Sequence, residues 1–230
     1  MRGILRKASI AAIAMFVTMG LAPKAEAALV QIGSYQSGQG NYTYTAGSLS
    51  GTTTTASSFT FDPAFATIFG LPTTTYTNVQ LTIDADATGA VTSGGFPPTL
   101  SQPMSGFIVV TDLNTSQILV QTNFTSAFLT GALGGNTVAL IGSSGFGTTI
   151  TYSSNVFNAA LVGPPNNFTF TLNPTSVAVA QSGSNFANFA GPDTANFSTT
   201  VQTTPEPASL ALFGLGLTAA GALARKRRRK

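Results

Sequence analysis

The 230-residue chain contains no cysteine, no histidine and no tryptophan. Without thiolate or imidazole side chains it cannot build a zinc finger, a cysteine nucleophile or a Ser-His-Asp triad. Charge is also scarce: Asp, Glu, Lys and Arg together make up 7% of the residues, against roughly 25% in an ordinary soluble domain. Thr, Ser, Gly and Asn carry the polarity instead. The formal net charge is +3, yet every basic residue lies near an end: Arg2, Arg6, Lys7 and Lys24, then Arg225, Lys226, Arg227, Arg228, Arg229 and Lys230. Between Ala28 and Thr204 the only charged residues are Asp62, Asp84, Asp86, Asp112 and Asp193. A nucleic-acid partner is excluded for this middle region, because nothing there can neutralise phosphates.

The two ends read as addresses. Residues 1–7 hold three basic side chains, residues 8–22 form an apolar run, and Ala25 and Ala27 supply small side chains ahead of Ala28. This is the three-part pattern of a secretory signal peptide. Residues 1–27 are therefore expected to engage the Sec and signal peptidase machinery, with cleavage after Ala27. The absence of cysteine does not oppose export, since a domain of this size can bury a core without disulfides.

At the other end, residues 208–224 carry no charge and are followed at once by the basic run 225–230. A helix of that length would span about 26 Å, a little short of a roughly 30 Å hydrocarbon core. Snorkelling arginines and local thinning can cover the difference. The basic residues are expected to stop transfer and remain in the cytoplasm, so that the chain is anchored in the inner membrane with its middle outside. Pro205, Glu206 and Pro207 stand immediately before the helix, in a linker spanning 201–207. The two prolines hold the backbone extended and open to a protease.

Pro-Glu-Pro, then a short apolar helix, then a terminal basic cluster resembles the PEP-CTERM sorting signal of Gram-negative bacteria. The resemblance covers about the last 26 residues, with Thr204 where the family commonly has Val. It implies that exosortase, a membrane-embedded cysteine protease or transpeptidase, recognises and processes this chain. It further implies a destination at the cell surface or in an exopolysaccharide matrix.

The exported middle, residues 28–200, is dominated by strand signals. Alternation of period two runs through residues 42–45, 59–61, 76–84 and 168–172, with an apolar face and a face made largely of Thr. Apolar stretches at 107–110 and 118–120, and the segment 149–157, predict further strands. About ten short strands broken by Gly, Pro, Asn and Ser predict an all-β fold, an antiparallel β-sandwich or jelly roll. One short helix is predicted from Asp62 to Gly70, with Asp62 capping, Pro63 in the first turn and Gly70 closing. Residues 89–103 are expected to be the longest irregular stretch, and residues 194–204 to hold the last strand and the start of the linker.

Candidate sites in the middle are few. Asp84 and Asp86 lie two apart near a strand end, so both carboxylates would share a face. They could supply half of a calcium site or bond nearby backbone in a turn. A glycosidase dyad would need a carboxylic acid of raised pKa and a partner at defined separation, and five Asp without a cation or Glu offer no such pair. No catalytic residue is assigned and no cofactor is expected beyond a calcium ion. Asn41, Asn114, Asn123, Asn167 and Asn196 begin Asn-x-Ser/Thr triplets, expected to be unmodified. The five tyrosines could form a sugar-binding platform, though most are expected in the core. These readings point to an exported, non-enzymatic surface or matrix protein with a structural or adhesive role, with a carbohydrate-binding module as the alternative and a surface hydrolase as the third reading.

Overall fold

Strands claim most of the chain because its Thr, Val, Ile, Phe and Tyr residues recur at alternate positions, which lets one face of each strand pack while the other is solvated. The computed structural model describes residues 28–36, 40–53, 57–144, 147–173 and 175–201. Ala28–Val201 form one compact unit. Its strands are β1 (Ala28–Gln36), β2 (Gly40–Thr45), β3 (Ser48–Thr53), β4 (Ser57–Phe61), β5 (Thr75–Ala87), β6 (Thr92–Gly94), β7 (Thr99–Asp112), β8 (Gln117–Ala132), β9 (Val138–Ser143), β10 (Thr149–Ser153), β11 (Val162–Leu172), β12 (Gln181–Ser182), β13 (Asn185–Phe186), β14 (Phe189–Gly191) and β15 (Asp193–Val201). The fold is mostly β, and its main sheet is large and antiparallel.

Thirteen of the strands belong to that sheet, in the order β14-β2-β3-β5-β4-β1-β15-β11-β9-β8-β7-β6, with β10 added beside β8. A further pairing of β5 with β7, from Val79↔Asp112 to Ala87↔Met104, joins the two arms. The hydrogen bonding therefore runs round a ring of eight strands: β5, β4, β1, β15, β11, β9, β8, β7 and back to β5. Long strands make this possible by changing partners along their length. β5 pairs with β4 near its start and with β3 towards its end, and β8 pairs with β10 and then β9.

Alternation places the core. On β5, Val79, Leu81, Ile83 and Ala85 are buried, while on β11 and β15 Phe168, Phe170, Leu172, Ala195 and Phe197 are buried. One continuous hydrophobic cluster includes all of them. The predicted helix is present as α1 (Pro63–Phe69): the Asp62 carboxylate accepts from the Ala64 amide at 2.8 Å, and Gly70 closes the helix with φ 61°. That cap is worth about 1 kcal/mol. Phe65 of α1 is buried and stacks parallel to Phe61, with Phe157 edge-on at 5.0 Å. The helix thus fills the end of the barrel-like ring.

Three expectations change. The strands are more numerous than ten, and several are long rather than short, β8 reaching 16 residues. Residues 89–103 are not one irregular stretch: β6 pairs with β7 from Thr92↔Ser101 to Gly94↔Thr99, leaving a turn at 95–98. The strand expected over 149–157 stops at Ser153. There the Ser154 hydroxyl donates to the Leu119 carbonyl at 2.7 Å and accepts from the Val156 amide at 3.0 Å, turning the backbone out of the ladder.

Candidate functional site

The sorting residues Pro205, Glu206 and Pro207, the apolar run 208–224 and the basic residues 225–230 lie outside the described residues. So do Ala25 and Ala27 of the expected signal peptidase site. Ala28, on the far side of that scissile bond, is the first residue of β1.

Asp84 and Asp86 flank buried Ala85 on β5, and both are exposed on one face of the sheet, as their spacing predicts. Asp84 lies between Ser50 of β3 and Phe107 of β7, and Asp86 between Ser48 and Ser105. Among the described residues no group of three or more His, Cys, Asp or Glu could hold a metal ion. The donors beside the pair are serine hydroxyls. With one oxygen from each group, two carboxylates and three hydroxyls supply five ligands against the six to eight calcium takes, so solvent or a bidentate carboxylate would have to complete any shell.

The row through Asp84 continues as Ser50, Asp84, Phe107, Asn123 and Thr151 across β3, β5, β7, β8 and β10. It sets a half-buried phenyl ring between an exposed carboxylate and an exposed carboxamide. A second feature is an open groove of about 410 Å³ lined by Ser101, Phe128, Thr130, Ile141, Ser143 and Thr148. Phe128 and Ile141 are cross-strand partners and both are exposed. The groove's lining carries no charge, and the hydroxyls of Thr130 and Thr148 donate to the Ala139 and Ser126 carbonyls.

The sequence missed Phe107 and Phe128. Simple alternation from buried Phe124 would have put Phe128 inside. Ser126 instead adopts φ 58°, and the β7–β8 register shifts between Met104 and Gly106. The phase reverses there, so Ala127 and Leu129 are buried and Phe128 faces outward. A positive φ at a serine leaves no compositional signal.

The tyrosines are not a platform. Tyr35, Tyr42, Tyr44 and Tyr152 are buried and Tyr76 is partly buried. Their hydroxyls bond inward: Tyr35 meets the Thr53 hydroxyl at 2.7 Å, Tyr42 donates to the Leu81 carbonyl at 2.9 Å, and Tyr44 donates to Gln102 at 2.6 Å. Burial pushes the Tyr42 phenol far above its ordinary range, with the charge of Asp193 adding to the effect and the Thr53 hydrogen bond opposing it. Burial likewise raises Tyr152, against a hydrogen bond to the Ser198 backbone. Such phenols stay protonated and serve as structural donors. Of the Asn-x-Ser/Thr triplets, Asn114, Asn123 and Asn196 are exposed, and Asn114 accepts from the Asn78 amide group at 2.9 Å.

Against known families, residues 203–229 match the PEP-CTERM protein-sorting motif. The chain carries a PEP-CTERM sorting signal. The match contains Pro205, Glu206 and Pro207 together with the apolar run and most of the basic tail. A PEP-CTERM signal marks a chain for exosortase and for export, with membrane anchoring followed by the surface as the general route. No curated protein and no solved structure matches the chain at a significant level. The match gives the general route and lies outside the β domain.

Proposed function

We propose that the chain is a non-enzymatic surface or extracellular-matrix protein, cut by exosortase near Pro205-Glu206-Pro207, whose β domain has a structural or adhesive role in the envelope or exopolysaccharide. The observation that carries this reading is the sorting motif at 203–229 behind an exported β domain. The domain supports it by its chemistry. No histidine, cysteine or glutamate stands between Ala28 and Thr204, and the buried phenols are locked into structural hydrogen bonds. The reading assigns residues 1–27 to a signal peptide and 208–224 to an inner-membrane anchor, and it needs no cofactor.

The test is intact mass and localisation in the native host, comparing wild type with Glu206→Ala. The expected wild type has lost its residues from about Pro207 onward and lies outside the cell, while the variant stays in the inner membrane. Full-length mass in the membrane fraction for both chains would reduce the segment to a permanent anchor.

A second reading, carbohydrate binding, is favoured by the uncharged groove. The exposed side chains of Phe128 and Ile141, with no charge among the groove's lining residues, suit the C–H face of a neutral sugar. Retention of the processed protein on host exopolysaccharide, lost in Phe128→Ala, would establish it. Equal retention of both forms would leave the domain a passive matrix component.

A further inference from the structure

One end of the exported domain carries both of its chain termini. Ala28, first in β1, lies opposite Val201, last in β15, and Val201 lies opposite Val162, first in β11. Antiparallel pairing brings the ends of β4, β7 and β10 and the starts of β5 and β8 to the same end. Three connections close it: residues 62–74 with α1, the turn 113–116, and the loop 154–161.

That end, the one from which the chain continues towards the apolar run, exposes four large apolar side chains. Leu29 is 61% exposed, Ile68 47%, Leu113 49% and Leu161 40%. Phe69 and Leu71 are only partly covered. The exposed side chains stand on a firm base, since Phe157 packs against both Phe65 and Phe69 and ties the loop before Leu161 to α1. The two acids here are engaged locally. Asp62 caps α1, and Asp112 accepts from the Asn114 amide at 3.0 Å and the Thr115 hydroxyl at 2.6 Å. No cationic side chain lies anywhere between Ala28 and Val201, so an anionic partner gains nothing from this surface.

The covalent chain limits what can meet this end. Six residues, 202–207, separate Val201 from the start of the apolar run at 208. Fully extended they reach about 20 Å, and a headgroup layer is itself about 5–8 Å thick. We propose that this end is a membrane-docking surface. While the chain is anchored, Leu29, Ile68, Leu113 and Leu161 enter the headgroup layer of a zwitterionic lipid surface, on the side opposite the basic tail. Side chains inserting to that shallow depth are how monotopic proteins hold an interface, and the short tether supplies a high effective concentration. Cutting the tether removes that advantage and frees the domain. The inference rests on residues 208–224 being the membrane anchor.

The absence of cysteine permits a clean test, because one introduced thiol is the only labelling site. Full-length chains carrying Ile68→Cys, Leu161→Cys or Phe96→Cys are spin-labelled and reconstituted into phosphatidylcholine vesicles. Phe96 is fully exposed in the β6–β7 connection at the opposite end, and all three sites are open enough to accept a label without disturbing the core. Collision with lipid-soluble oxygen is compared with collision with a water-soluble nickel chelate. The expected result is an oxygen-to-nickel ratio several-fold higher at 68 and 161 than at 96. Equal ratios at all three sites, in chains that float with the vesicles, overturn the docking surface. Protection at 68 and 161 that disappears on diluting the protein in lipid indicates a second copy of the chain and overturns it too. Chains that do not float overturn the anchor reading beneath it.

Discussion

Alkaline pH is the perturbation to which this domain should be most sensitive. Between Ala28 and Thr204 it has no His, Lys, Arg, Cys or Glu, so tyrosines are the only side chains there that titrate above the carboxylate range. Tyr42 and Tyr152 are buried, and burial raises both phenols. In the unfolded chain they ionise near pH 10. A raised folded value means that their contribution to stability is fully present below pH 10 and is lost as pH climbs towards the folded value. Each such group removes about 1.4 kcal/mol per pH unit in that window, so by pH 11 the pair has removed about 3 kcal/mol. That is a large share of a typical 5–15 kcal/mol. The assay is urea unfolding of the processed protein at pH 8, 9, 10 and 11, with phenolate absorbance near 295 nm followed in parallel. Stability should hold level to pH 9 and then fall, with phenolate appearing together with unfolding. A midpoint unchanged at pH 11, or five tyrosines ionising near pH 10 while the protein stays folded, would refute the burial argument.

Two further outcomes follow from local geometry. A Cβ at Gly106 would collide with the Asp84 carbonyl and sit 2.5 Å from Ala85 Cα, both backbone atoms that cannot swing aside. Gly106→Ala is expected to cost about 3–5 kcal/mol, visible as a lower urea midpoint, whereas Gly94→Ala, with open space around it, should be near neutral. Chelation should leave the melting temperature unchanged, because Asp84 and Asp86 have only serine hydroxyls as neighbouring donors. A loss of several degrees in wild type that is absent in Asp84→Asn would instead establish a calcium site.

Local chemistry was legible in the sequence where a single residue decides it. Asp62, Pro63 and Gly70 announce α1 by capping, and the alternation of 168–172 marks β11. The spacing of Asp84 and Asp86 places both on one outer face. What the sequence hides is phase and partnership. Ser126 reverses the alternation of β8 through a backbone conformation that serine rarely adopts, and this is why the groove around Phe128 was invisible. Leu119 and Val120 are both buried in succession, another change of phase without a glycine or proline to mark it. The pairing of β5 with β7 depends on strand length and twist, which alternation does not encode. The sorting signal is legible for the opposite reason: its meaning lies in residue order and is read by another protein.

The pairing of β1 with β15 also has a consequence in time. When the amino end leaves the cytoplasm first, β1 arrives long before its principal partner. β4 covers only Gly33 to Gln36 of it, whereas β15 spans it from Ala28 to Gln36. Closing a contact across almost the whole domain is slow and must await the last strand. An emerging chain therefore stays incomplete, and pliable enough to thread a narrow channel, until Val201 has followed. Two residues later comes the segment matched to the sorting motif. A chain truncated within β15 can neither finish its sheet nor carry the address that follows, so every chain bearing the address also bears the closing strand.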